Sequence, residues 1–240
     1  MLSTIELLLI IFLSIFQSIF GVGLLFVGTP VFLLLGHSFG NTLELLLPLS
    51  ITISFFQFFF SEKKQKFFIK TFNFFCLPVV FLTTLLIFSY KITFKIEIAV
   101  SFVLIFFAII NLFKINIHYS LHKKTFKFSL ILLGLIHGAT NLGGSFLTII
   151  SSRINKNKNS IRECVAYGYL AMGIVQLFAI YYLQHEVNFT KLLYIIIPLL
   201  VYFPSQFFFK KLKPFLFIFT LNFLALVSGM YILLKYFNVN

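Results

Sequence analysis

The chain has no tryptophan, only two cysteines and only six acidic residues among its 240. Each scarcity excludes something. Cys76 and Cys164 match no metal-binding or redox spacing and lie in or beside apolar segments, which makes them small packed residues. Without tryptophan, an interfacial aromatic belt has to come from tyrosines such as Tyr90, Tyr181, Tyr182 and Tyr236. No paired catalytic carboxylates and no Ser-His-Asp arrangement can be assembled, so an enzyme is the weakest reading and no cofactor is implied. A Gly-Lys-Ser/Thr phosphate loop is missing, which disfavours direct nucleotide-driven pumping by this chain. No stretch is long and polar enough to form a separate soluble domain. The opening Met1–Glu6 lacks a positively charged region and no small-residue cleavage site follows, so it reads as a retained membrane segment rather than a signal peptide.

Apolar residues make up 60% of the chain and charged ones 10%, so the expected solvent is a lipid bilayer. The 37 phenylalanines, with much Ile, Lys and Asn, reflect AT-rich codons, and Phe packs well in lipid. The net charge of +13 does not signal nucleic acid, because Lys and Arg sit in short connectors between apolar segments. Eight segments can be marked: 3–35 (interrupted), 42–60, 67–89, 96–113, 128–150 (interrupted), 163–183, 192–209 and 215–234. The predicted fold is an all-α polytopic membrane protein of two four-segment repeats. Repeat one covers 1–116, a connector 117–127, and repeat two 128–240.

The two interrupted segments carry the duplication. Gly21-Val-Gly23 with Gly28-Thr29-Pro30 opens the first repeat, and His137-Gly138-Ala-Thr140-Asn141-Leu-Gly143-Gly144-Ser145 opens the second. Gln17 aligns with His137, Gly23 with Gly143, Asn41 with Ser160, Glu44 with Glu163, Gln57 with Gln176, and Pro78 with Pro198. Helix breaks duplicated inside apolar segments are the pattern of a secondary transporter with its site between two halves.

The distribution of basic residues bears on topology. Eight simple spans would divide Lys and Arg 10 against 9 between the two sides, with no bias. If 128–150 re-enters instead of spanning, the division becomes 15 against 4, and the second repeat is inverted relative to the first. The preferred topology has two broken or re-entrant segments and six full spans, with the connectors 61–66 and 151–162 in the cytoplasm.

A helix broken in lipid exposes backbone N–H groups that need partners. Half-helix N-termini carry partial positive charge, so the breaks suit an anion. The candidate substrate-binding residues are Gly21, Gly23 and Thr29 at the first break, and Thr140, Asn141, Gly143, Gly144 and Ser145 at the second. Pro30 suits the first turn of a resumed helix. The competing reading makes the glycines close-packing positions. Gln57 and Gln176 bind substrate or bridge helices. His137 can donate to an anion, carry a proton, or be a satisfied interior residue. Glu44 and Glu163 are candidates for proton coupling, but each also has capping-box spacing after Asn41 and Ser160. His118 and His122 lack a third ligand and stand beside Lys123 and Lys124, so they read as a solvated face and not as a metal site.

The motifs Phe20-Gly-Val-Gly23 with Gly28-Thr-Pro30, and Gly134-Leu-Ile-His-Gly138 with Asn141-Leu-Gly-Gly144, resemble those of the sulfite exporter TauE/SafE family, also called the 4-toluene sulfonate uptake permease family. The likeness covers nearly the whole chain, although the second motif carries fewer glycines than is usual there. The resemblance implies transport of a small sulfur-containing or organic anion across a bacterial inner membrane. The partners expected are that anion and the lipid bilayer. A homodimer is compatible with the sequence. A non-transporting membrane subunit that docks or stabilises a partner complex is the alternative.

Overall fold

The computed structural model describes residues 2–61, 64–89, 123–155, 158–184 and 189–211, with scattered helical positions between 98 and 109 and between 223 and 234. The segments expected at 96–113 and 215–234 lie mostly outside the described residues, as do Tyr90, Tyr236, His118 and His122. Every regular element among the described residues is helical.

Helix α1 (Thr4–Phe20) starts at a capping box: Ser3 accepts the Glu6 N–H at 3.3 Å, and the Glu6 carboxylate accepts the Ser3 N–H at 2.6 Å. It stops at Gly21, whose φ of 80° is left-handed and favours glycine. Helix α2 (Leu24–Leu34) resumes after a three-residue gap, Gly21-Val22-Gly23. Pro30 therefore lies inside α2 rather than in its first turn, because the Gly21–Gly23 break releases the chain six residues earlier. Helix α3 (Phe39–Phe59) is followed by α4 (Lys66–Phe75) and α5 (Leu77–Ser89). The last two run on through Cys76, whose N–H reaches the Phe72 carbonyl at 2.8 Å.

Helix α6 (Lys123–Thr140) begins inside the expected connector, and α7 (Gly144–Ile154) follows the second break. Then come α8 (Lys158–Gln184), the short α9 (Phe189–Leu192), a 3-10 turn at Leu193–Ile195 and α10 (Ile196–Lys211). Both interruptions thus fall inside the segments expected to be broken.

Among the described residues, three helices are long and apolar enough to cross a membrane: Phe39–Phe59, Lys66–Ser89 and Asn159–Leu183. The halves of the broken segments are shorter, at 17 and 11 residues in the first. At a rise of ~1.5 Å per residue neither half alone matches a hydrocarbon core of ~30 Å. The outer surface is apolar, with Phe55, Phe59, Phe74, Phe178, Phe203 and Phe207 all exposed. In water such a surface would drive association; against lipid it is in its proper solvent.

The centre of the molecule is α3 packed on α8. Leu46, Leu47, Leu49 and Ile53 of α3 and Tyr169 and Met172 of α8 are fully buried there. Gly173 permits the close approach, since a Cβ at that position would stand 2.8 Å from Ile51 Cγ1. Around this pair the two halves of the chain interleave. Helix α1 packs on α10, and α6 packs on α5, while α2 lies on α3 and α7 on α8.

Gly134 and Gly138 belong to this packing and not to the second break. A Cβ at Gly134 would meet the Cys76 carbonyl at 2.8 Å, and one at Gly138 the Val80 carbonyl at 3.0 Å, so the pair lets α6 lie directly on α5.

Candidate functional site

The two breaks have the same internal wiring. At the first, the Gly21 N–H donates to the Gln17 carbonyl at 2.8 Å; at the second, the Asn141 N–H donates to the His137 carbonyl at 2.8 Å. Asn141 is left-handed like Gly21, with φ 62°, a region that asparagine tolerates better than most side chains. In each break the residue one turn back folds its side chain forward across the gap. Gln17 Oε1 accepts the Leu24 N–H at 3.0 Å, and His137 Nδ1 accepts the Gly143 N–H at 3.2 Å. Each break is also held by a glutamine from the following long helix. Gln57 Nε2 donates to the Gln17 carbonyl at 2.8 Å, and Gln176 Nε2 donates to the His137 carbonyl at 3.2 Å.

These glutamines bridge helices, one of the two roles open to them. Each amide gives a second hydrogen bond to a carbonyl in the last turn of its helix, which already accepts the Gly21 or the Asn141 N–H. Both are buried, and in each the Oε1 has no hydrogen-bond partner.

The surroundings of the breaks differ. At the first, Arg162 Nη2 and Gln206 Nε2 both donate to the Ser18 carbonyl, at 2.9 and 3.1 Å, and Arg162 also reaches Gln206 Oε1 at 2.8 Å. The guanidinium thus sits at the negative end of the α1 dipole, where a cation is favoured. Gln17 Nε2 ties the same break to α3 through Ser50 Oγ at 2.8 Å and Ser54 Oγ at 3.2 Å.

At the second break the side chains that make hydrogen bonds, among the described residues, are Thr29, Thr140, His137 and Gln176, with no Lys, Arg, Asp or Glu. Because His137 Nδ1 accepts a hydrogen bond from the Gly143 N–H, that nitrogen carries no proton and the ring is neutral. The fully buried Tyr169 ring meets it edge-on at 6.2 Å between centroids. Gly143 fits because a Cβ there would stand 2.7 Å from His137 Cβ. Gly144 fits because a Cβ there would coincide with the Tyr169 hydroxyl. At the first break, Gly23 is equally confined, 2.6 Å from Phe16 Cδ1 by the same measure.

A hydrogen bond joins the two broken segments directly: Asn141 Nδ2 donates to Thr29 Oγ1 at 3.0 Å, with both residues fully buried. The remaining candidates fall as follows. The Thr140 hydroxyl is used locally, donating to the Ile136 carbonyl at 2.7 Å and accepting the Leu142 N–H at 3.3 Å. Ser145 is the second residue of α7 and half-buried. Glu44 pairs with Lys191 Nζ at 2.6 Å, and Glu163 accepts the Gln65 N–H at 2.7 Å, so the structure ties both to groups outside the breaks.

Neither capping box forms. Helix α3 starts at Phe39 with Ser38 as its cap, and Ser160 lies inside α8, so each helix begins one turn before the expected box. Sequence reasoning missed Arg162, Gln206 and Tyr169. Arg162 reads as one more connector cation, and Tyr169 looks like any aromatic in an apolar helix. Gln206, a lone amide in an otherwise apolar run, was the signal available.

No protein family, no curated protein and no solved structure matches this chain.

Proposed function

We propose that the chain is a secondary transporter that moves a small sulfur-containing or organic anion across the inner membrane of a bacterium. The observation that carries the reading is the pair of interrupted helices, wired alike and joined in the buried interior by Asn141 and Thr29. Interrupted helices are tolerated at membrane depth only where protein or a polar cavity meets their free backbone groups. Thr29 lies within α2 rather than at its start, so the contact sets the second break against the body of α2, and broken helices packed on one another are the arrangement on which alternating access is built.

The interleaved packing supports a duplication. The contacts α1–α10, α2–α3 and α1–α2 have counterparts in α6–α5, α7–α8 and α6–α7. A two-fold relation between repeats would produce that exchange, and rocking one repeat against the other would open the site to each side in turn. The solute class rests on the resemblance to the TauE/SafE family and on the preference of helix N-termini for negative charge.

Counterflow in proteoliposomes tests the proposal, using sulfite, alkane- and arenesulfonates and carboxylates as the panel. Exchange of a labelled member against its unlabelled form, absent from empty liposomes, is the expected result. A chain that inserts correctly yet exchanges nothing would be a docking subunit instead.

A further inference from the structure

We infer that Tyr169 is a binding residue for a small, singly charged anion held at the start of α7; this deepens the transporter reading and rests on it for the route the anion takes. The starting observation is a mismatch. The Tyr169 hydroxyl has no hydrogen-bond partner, although the residue is fully buried. A buried hydroxyl left unpaired costs about 1–3 kcal/mol, a cost that a bound hydrogen-bond acceptor would offset. The hydroxyl sits directly on Gly144, the first residue of α7, where only the absence of a Cβ makes room. It therefore stands at the N-terminus of an 11-residue helix, beside the N–H groups that begin it.

Two kinds of donor converge here, the helix N-terminus and the phenol O–H. Both match an oxyanion. The charge they can compensate is limited. A helix end carries roughly half an elementary charge, His137 is neutral because its Nδ1 accepts from Gly143, and the Arg162 guanidinium lies at the other break on the Ser18 carbonyl. A doubly charged anion in this buried place would keep most of its desolvation penalty. A monoanion such as a sulfonate, hydrogen sulfite or a carboxylate would not. Asn141 is oriented by its bond to Thr29, which leaves its Oδ1 buried and unpartnered as well.

The test uses the full chain purified in detergent and titrated by calorimetry with methanesulfonate and acetate, then with sulfate and malonate, at constant ionic strength. The monoanions bind, and the dianions bind at least about tenfold more weakly. Tyr169→Phe keeps the ring packed on His137 and weakens monoanion binding by about tenfold to a hundredfold, the worth of one hydrogen bond to a charged group. Tyr167→Phe is the control on the same helix, since Tyr167 donates to Asn73 at 2.5 Å outside the break, and it leaves binding unchanged. Wild-type affinity in Tyr169→Phe, dianions bound as tightly as monoanions, or no binding by any of the four anions would each overturn the inference. The wild-type charge preference needs no variant, so it decides the matter even where Tyr169→Phe fails to fold. Counterflow that proceeds with an unchanged KM in Tyr169→Phe removes the inference and leaves the transporter. Tyr169-dependent binding without counterflow does the reverse.

Discussion

Replacing Thr29 by valine removes one oxygen and keeps the shape of the side chain. It also leaves the Asn141 amide in the interior with a donor and no acceptor, because Asn141 Nδ2 gives its hydrogen to Thr29 Oγ1 and both residues are buried. An orphaned buried donor costs about 1–3 kcal/mol. Asn141→Gly perturbs the same contact from the other side at lower cost. Glycine relieves the left-handed backbone at φ 62°, and the freed Thr29 hydroxyl can turn back to its own helix. The asymmetry makes a sharp expectation. Thr29→Val is the more destabilising single change, and adding Asn141→Gly to it restores stability, with a coupling of about 1–2 kcal/mol. Reversible unfolding in mixed micelles measures all four corners of the cycle. Strict additivity, or a double variant less stable than Thr29→Val alone, would refute the contact between the broken segments and with it the main support for a shared site.

Gly143→Leu should abolish counterflow while the protein still inserts, because the new side chain has to displace His137 and Leu133, 2.7 and 2.9 Å from the Cβ position. Gly134→Ala should destabilise by about 1–3 kcal/mol, against the usual gain for Gly→Ala in a helix, since its methyl would press on the Cys76 carbonyl and on Val79 of α5; an unfolding midpoint at or above wild type would contradict the packing. Glu44→Gln should cost no more than about 1 kcal/mol and leave solute flux intact, because Glu44 pairs with Lys191 away from the breaks; loss of a pH-driven flux would instead make Glu44 the coupling group. Ser152→Cys should react with an impermeant thiol reagent only in inside-out vesicles, against a low background because Cys76 and Cys164 are buried. Labelling in intact cells would reverse the proposed topology.

The places where the helices break were legible residue by residue. Gly21 and Asn141 end their helices at φ 80° and 62°, and few residue types adopt that backbone cheaply. The pairing of Gln17 with His137 and of Gln57 with Gln176 was legible as spacing alone, and the hydrogen bonds give each pair equivalent work. Helix starts were less legible. Asn41 and Ser160 have capping spacing, but Ser38 caps α3 one turn earlier, because any of several nearby polar residues can accept the free N–H groups. The roles of the glycines were not legible either. Gly138 and Gly143 stand five residues apart in one motif, yet one presses on α5 and the other on His137.

Lipid-length apolar runs, the lack of catalytic or nucleotide-binding patterns and the interruptions at Gly21 and Asn141 are properties of the chain itself, because hydrophobic length and backbone preference act over a few neighbouring residues. Which groups meet at those interruptions is another matter. That Arg162 is drawn to the end of α1, that Asn141 reaches Thr29, and that the Tyr169 hydroxyl rests on Gly144 without a partner depend on helices far apart in sequence being brought together. A side chain's surroundings are set by packing, and packing exists only once the chain has folded on itself.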